Sequence, residues 1–536
     1  MIKRQELQQT NRIVGSTRWI ALTAVLITMF FSAMDQTVVA TAMPVIVGDL
    51  KGLNYYAWVY TAYAMASAVT VPIYGKLSDV YGRKPFYIIG LFLFMVGSAV
   101  SGQAHSMLEL IAARGFQGIG AGAMLSMPRA TIGDIFTPRE RGKWMGLITG
   151  VFGLASIIGP FLGGWITTSF GWRWVFYINL PFAALALLLV WISLPWVRSD
   201  LQASPDVVGS VALVAGLTPI LLGFTWGGSQ YDWGSWQEIL LFASGGLILC
   251  GFALWEYKAE NPIIMLSLFS NPTFLSTVIV GLLVSMGLFG SLMFLPLFVQ
   301  GVIGLTALGS GVIVTPMMGA FVVASLISGL IITRTGKYKL LAHIAALVMA
   351  LGMFLLTLFQ PTTGYGEVVR DMIVLGLGVG ALMPLLNVVA QNIFPYKIMG
   401  MVNSTQQFVI SLGGVIAIPI LGSVMADTFQ NELSQNLPAV LRIALERIPP
   451  SARTSIVDPE GLTTAATQNS IKPMFYVFGH QAQFIYHEFI NALHIALTTA
   501  IVDVFRIGLA FALAAFLGTF LLREIRLKKE EYFEQE

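Results

Sequence analysis

Gly75-Lys-Leu-Ser-Asp79-Val-Tyr-Gly82-Arg83-Lys84 returns 254 residues later as Gly329-Leu-Ile-Ile-Thr333-Arg334-Thr-Gly336-Lys337-Tyr-Lys339. Glycines and basic residues keep their spacing between the two copies, while the acid Asp79 gives way to Thr333. The first copy follows the second long apolar stretch of the chain, and the other follows the tenth. Self-similarity at a fixed offset marks a duplicated structural unit. Two helical bundles rocking about a midplane site are a common transporter design built from such repeats.

Composition agrees with lipid as the main solvent. Of 536 residues, 56% are hydrophobic and 11% charged, whereas ordinary soluble domains carry about 25% charge. Mean hydropathy is +0.77. A helix rises about 1.5 Å per residue and needs roughly 20 apolar residues to cross the hydrocarbon. Fourteen such stretches follow one another, the first centred near Met29 and the last near Phe511. The expected fold is therefore an all-α polytopic membrane protein. One six-helix bundle is expected over 19–200, two additional helices over 201–260 and a second six-helix bundle over 261–522, with polar ends at 1–18 and 523–536. The first apolar stretch lacks a small-residue cleavage site and reads as a retained span. The 54 glycines suit close helix contacts and the 23 methionines adaptable apolar surface.

Loop charges orient the chain. Lys76, Arg83 and Lys84 follow span two, Arg139, Arg141 and Lys143 follow span four, Arg334, Lys337 and Lys339 follow span ten, and Arg523 and Arg526 follow the last. All lie on the side of the N-terminus, and the opposite short loops carry few cations, so both termini are expected in the cytoplasm. A long outer connection at about 427–496 escapes this rule, since long loops translocate regardless of charge. Within it, Leu433–Ile448 has an amphipathic helical pattern, and the whole connection reads equally as a lid, a docking element or a tolerated insertion.

Several stretches carry a more specific resemblance. The Gly75–Lys84 segment resembles the loop signature of the major facilitator superfamily. Four others are similar to motifs of its 14-span drug:proton antiporters, the QacA-like branch. These are Met34-Asp35-Gln-Thr37-Val-Val-Ala-Thr-Ala-Met-Pro44, Trp58-Val-Tyr-Thr61-Ala-Tyr63, Arg114-Gly-Phe-Gln117-Gly118-Ile-Gly120 and Gly159-Pro160-Phe-Leu-Gly163-Gly164. The last departs from the family pattern at Ala155, where a glycine is usual. The resemblance covers essentially the whole chain. It implies a proton-coupled exporter of hydrophobic or cationic small molecules in the cytoplasmic membrane, working as a monomer without a cofactor.

Asp35 is the acid placed deepest within a span, and a carboxylate in hydrocarbon is costly enough to be read as functional. It lies 16 residues beyond Trp19, or about 24 Å along a helix. Arg114 lies nine residues beyond His105, or about 13 Å in from the other face. The two therefore share a depth, as a proton-coupling pair would. Burial favours a neutral carboxyl and a nearby cation favours the charged form, so a proton and a cationic substrate would compete for Asp35. A purely structural ion pair is the competing reading.

Gly75, Asp79, Gly82, Arg83 and Lys84 are expected in a short turn, where the resemblance implies a latch on the inner gate. Gly159, Gly163 and Gly164 with Pro160 combine small-residue contacts and a proline kink, expected to let bundles approach and pivot; the resemblance ties this motif to export. Trp58, Tyr63, Gln117, Met293, Phe294, Asn387, Gln406 and Gln407 are candidates for an apolar substrate cavity with a few polar groups, in which aromatic faces favour cations. Gln406 and Gln407 stand in span thirteen, where some QacA-like exporters place acids.

Other classes find little support. A net charge of +3 gives no reason to expect a nucleic-acid partner. No Gly-x4-Gly-Lys-Ser/Thr pattern appears, so ATP drive is not expected. The lone Cys250 forms no internal disulfide, and His480, His487 and His494 have no clustered acid or thiol that would point to a metal. An enzyme is not expected. A proton-coupled carrier of a metabolite, or a flippase of a lipid-like substrate, remains the alternative within the same fold.

Overall fold

The computed structural model describes residues 16–52, 55–135, 138–196, 206–228, 230–259, 262–394, 399–437 and 472–524. Among them fourteen helices of at least 15 residues follow one another. The first half holds α1 Ser16–Leu50, α2 Tyr56–Tyr81, α3 Arg83–Gly102, α4 Met107–Ile135, α5 Pro138–Phe170 and α6 Asn179–Ser193, which a helical turn at Trp174–Tyr177 precedes. Next come α7 Val207–Trp226 and α8 Trp236–Lys258. The second half holds α9 Pro272–Gly301, α10 Ala307–Thr335, α11 Lys339–Leu356, α12 Tyr365–Ile393, α13 Met399–Asn436 and α14 Ala482–Thr519. A single isolated bridge, Gly227 to Tyr231, is the one β pairing among the described residues.

Helix starts follow ordinary capping chemistry. The Asn271 side chain accepts from the Thr273 and Phe274 amides ahead of α9, with Pro272 in the first turn, and Thr306 accepts from the Gly309 amide at α10. Eleven helical segments are long and apolar enough to cross a membrane by composition. The other three, α2, α4 and α5, are long enough at 26, 29 and 33 residues. They carry more polar groups because much of their surface faces other helices rather than lipid. The opposite case is α8, whose Leu247 and Leu254 stand exposed, as suits a helix with hydrocarbon as its solvent.

The two halves pack alike. In the first, α1 lies against α5 and α6, α4 against α2 and α3, and α3 against α6. In the second, α9 lies against α13 and α14, α12 against α10 and α11, and α11 against α14. The repeat in the sequence is thus a repeat of packing. Between the halves, α5 packs on α10 and α2 on α13, while α7 pairs with α8 and also touches α2 and α13.

Two expectations change. Gly75 and Asp79 lie in the continuing helix α2 rather than in a turn; the turn contracts to Gly82, whose φ of 94° ends one helix and starts the next. Gly336, its counterpart, closes α10 at φ 66° in the left-handed region. The described residues of the connection placed at about 427–496 are also mostly helical, since α13 runs to Asn436 and α14 begins at Ala482. Apolar packing extends those helices: Phe429 and Leu433 are buried on α13, and Phe475 rests against Tyr486 and Phe489 at the start of α14. Residues 438–448 of the amphipathic segment lie outside the described residues.

Candidate functional site

Three helices bring one carboxylate its partners. Asp35 sits midway along α1, Arg114 two turns into α4, and Asn179 at the first position of α6. Arg114 Nη1 donates to Asp35 Oδ2 at 2.8 Å and to Gln117 Oε1 at 2.7 Å. Gln117 Nε2 and Asn179 Nδ2 both donate to Asp35 Oδ1, at 3.1 and 2.7 Å. Asn179 Nδ2 also reaches Ser98 Oγ on α3 at 3.2 Å, and that hydroxyl donates to the Phe176 carbonyl. Asp35, Arg114, Gln117, Ser98 and Asn179 are all buried to 1% exposure or less.

Burial changes what such a pair is worth. A charge with no solvent around it is tolerated where it is paired and hydrogen-bonded, and Asp35 accepts three bonds from three side chains. The Arg114 guanidinium also lies over the Tyr63 ring, 4.0 Å from its centroid, and 5.8 Å from that of Phe176. Its Nε and Nη2 have no hydrogen-bond partner, nor does Asn179 Oδ1. The arrangement surrounds the Asp35 carboxyl with three donors while leaving Arg114 spare ones.

The glycine motif of α5 works on both sides of that helix. A Cβ at Gly159 would run into Thr37 Oγ1, and one at Gly163 into Thr41 Oγ1 and the Val38 carbonyl, so α5 and α1 touch backbone to side chain. A Cβ at Gly164 would meet the Ala307 carbonyl and lie 2.6 Å from Leu308 Cα, on α10 of the other bundle. Gly311 answers from α10, because a Cβ there would strike the Pro160 carbonyl. Further along, Thr315 Oγ1 reaches the Ile157 carbonyl at 3.3 Å. Nearer the termini, Gly150 and Gly329 have open space beside them. The pair α5 and α10 is therefore tightly closed at the end away from the chain termini and stays in contact as far as Gly153, where a Cβ would lie 2.8 Å from Val322 Cγ2.

A family model described as Major Facilitator Superfamily matches residues 25–418. The multidrug transporter protein MdtP of Bacillus subtilis is 38% identical over 97% of this chain and 96% of its own length. This chain belongs to the major facilitator superfamily. The multidrug resistance protein 3 of the same organism is 36% identical over 87% of this chain and 90% of that protein. By shape, a bacterial homologue of the human lysosomal transporter Spinster, solved inward-facing and unoccupied, matches with a TM-score of 0.64 at 15% identity. The match covers 95% of this chain and 99% of that one. A D-xylose-proton symporter matches with a TM-score of 0.53 at 16% identity over 76% of this chain and 89% of that one. These structures share the fold, and the superfamily is one of transporters rather than enzymes. The protein is a multi-pass membrane protein.

The substrate-site candidates named from sequence take up different surroundings. Tyr63 and Gln117 belong to the Asp35 cluster. Met293 and Phe294 are sealed in the closed end, where Tyr56 Oη donates to the Met293 carbonyl at 2.7 Å and its ring stacks on Phe294. Gln406 is fully buried and donates to the Leu386 carbonyl, so it serves helix packing between α13 and α12. Trp58 turns toward Trp226 of α7, with ring centroids 6.4 Å apart. Asn387 is exposed and Gln407 half-buried; these two keep polar groups available.

The turn motif is likewise redistributed. Arg83 Nη1 donates to Ser78 Oγ. Lys84 Nζ donates to the Trp191 carbonyl at 2.6 Å and lies 5.4 and 5.1 Å from the Trp191 and Trp196 rings. In this conformation Lys84 caps the C-terminal end of α6 within its own bundle. Asn179 and Ser98 escaped the sequence reading. The one signal was a lone amide opening an otherwise apolar run, and nothing in one dimension points it at Asp35.

Proposed function

We propose that this protein is a drug efflux transporter of the cytoplasmic membrane, exchanging hydrophobic, cationic compounds for protons by alternating access, with both termini in the cytoplasm. What carries the proposal is the fully buried Asp35–Arg114 pair, joined through α1 to the glycine contacts of α5. The names of the two Bacillus subtilis relatives support a drug as cargo.

Asp35 takes the proton. In the conformation described, its oxygens are occupied by Arg114, Gln117 and Asn179, so a cationic drug would have to displace Arg114 to reach it. A proton removes the charge that Arg114 pairs with. Arg114 then keeps Gln117 Oε1, the Tyr63 face and its two spare donors, and α1 loses its hold on α4. Thr37 and Thr41 of that helix rest on Gly159 and Gly163, so the change passes to α5 and its contact with α10. The drug binds separately between the bundles, where apolar walls and a few polar groups such as Gln407 and Asn387 accept varied shapes.

Flux in proteoliposomes under an imposed pH gradient tests this with a fluorescent lipophilic cation, comparing the wild type with Asp35→Asn. Cation movement opposite to protons, lost in the variant, supports it. Gradient-independent flux in the wild type would refute proton coupling.

A further inference from the structure

We infer that Gln300 is a positioning residue that ties the state of Asp35 to closure of the two bundles; its use in transport rests on the proton role proposed above for Asp35. Gln300 ends α9, is 1% exposed, and donates from Nε2 to the Thr41 carbonyl of α1 at 3.0 Å. The bond crosses from the second bundle to the first. It falls one residue after Ala40, whose carbonyl loses its helix donor because Pro44 has no N–H, and the proline ring crowds that same turn. The same Thr41 carries the hydroxyl that fits against Gly163 of α5. Thr41 lies six residues from Asp35, about 9 Å along one helix. A shift of α1 at Asp35 is therefore carried along one helix to the Gln300 bond.

The second half of the amide makes the contact reversible. Gln300 Oε1 is buried with no hydrogen-bond partner. One end of the side chain favours the closed arrangement, and the other gains a partner as soon as separation admits water. Neither the Tyr56 bond to the Met293 carbonyl nor the Leu308 amide bond to Thr168 Oγ1 has this double character. Those contacts hold the bundles together; Gln300 sets how readily they part.

The test is a distance between spin labels on His105 and Thr362, exposed residues of the first and second bundle at the closed end, each changed to cysteine in a Cys250→Ser background. Gln300→Asn is too short to reach Thr41, and Gln300→Glu sets acceptor against acceptor. Each is expected to raise the separated population roughly two- to tenfold, the range that loss of one net hydrogen bond gives. Asp35→Asn is expected to raise that population in the Gln300 background and to add nothing in Gln300→Asn. Unchanged distances in both Gln300 variants would overturn the inference. So would an Asp35→Asn effect of equal size in both backgrounds, which would make Gln300 a packing contact. Gradient-driven flux on the same proteins tests the efflux proposal separately, since the distances are read without substrate or gradient.

Discussion

Arg114 Nη1 lies 2.8 Å from Asp35 Oδ2, and neither side chain reaches solvent. The pair joins α4 to α1 two residues before Thr37, which packs on Gly159 of α5. A buried ion pair is weak evidence of stability, because the cost of removing two charges from water rivals their attraction. Breaking it is another matter, since one charge then remains buried without its partner. That asymmetry is what a proton on Asp35 would exploit.

Asp35→Asn is accordingly expected to destabilise the protein by about 3–5 kcal/mol, the usual cost of removing one member of a buried pair. Adding Arg114→Gln should recover most of that loss without recovering gradient-driven flux. Unfolding in detergent, followed for single and double variants, checks the first part, and proteoliposome flux the second.

Asn179→Ala removes one of the two amides on Asp35 Oδ1 while leaving Gln117 in place. A lost hydrogen bond to a buried charged group costs about 1–3 kcal/mol, so the coupled transport rate is expected to fall about tenfold or more. Asn179→Ser is expected to sit between Ala and wild type. An Asn179→Ala protein transporting at the wild-type rate would remove Asn179 from the site.

Gly164→Val places a branched side chain where the Ala307 carbonyl and Leu308 Cα stand. Overpacking of this kind costs about 1–3 kcal/mol, and here it falls on the contact between bundles rather than on either core. The label distance between His105 and Thr362 should therefore lengthen while helical content stays unchanged.

Gly82→Ala and Gly75→Ala separate two glycines of one motif. Gly82 has φ 94° and ψ 156°, a region essentially reserved for glycine, so alanine costs about 1–3 kcal/mol there. Gly75 is helical with open space beside it, and alanine there gains roughly 0.5–1 kcal/mol of helix propensity. Thermal unfolding of both variants should move in opposite directions.

Lys84→Gln removes a cation from the C-terminal end of α6 and from between two indole rings. Such contributions amount to about 1–2 kcal/mol, so a loss of stability is expected with no change in the distance between the bundles. A change in that distance at full stability would instead make Lys84 a latch.

How much of this the chain reveals in one dimension depends on the range of the interaction. The duplicated glycine and basic pattern, the alternation of apolar stretches with charged breaks and the depth of Asp35 are local properties, and each carries its meaning without neighbours. That Arg114 lies near the depth of Asp35 followed from helix rise, because both count inward from a membrane face, while their contact is set by packing. Gly159, Gly163 and Gly164 were visible as close-contact residues, yet only packing assigns the first two to α1 and the third to α10 of the other bundle. Met293 and Phe294 read as cavity residues, and only packing shows that Tyr56 of the other bundle covers them here, since an apolar side chain looks the same in either setting. The outer connection looked like a loop because its polar residues break the apolar count; α13 and α14 nevertheless continue as helices, held by Phe429, Leu433, Phe475 and Phe489.

The sequence by itself determined a membrane solvent, a duplicated helical architecture and a buried acid in the first span, because burial cost and helix rise act on single residues at known depth. Only the tertiary structure decided that Asn179 and Ser98 complete the Asp35 site, that Lys84 caps α6 and that Gln300 bonds α1. Those contacts join residues far apart in the chain, and hydrogen-bond geometry of a few ångströms is set by packing angles that no local pattern encodes.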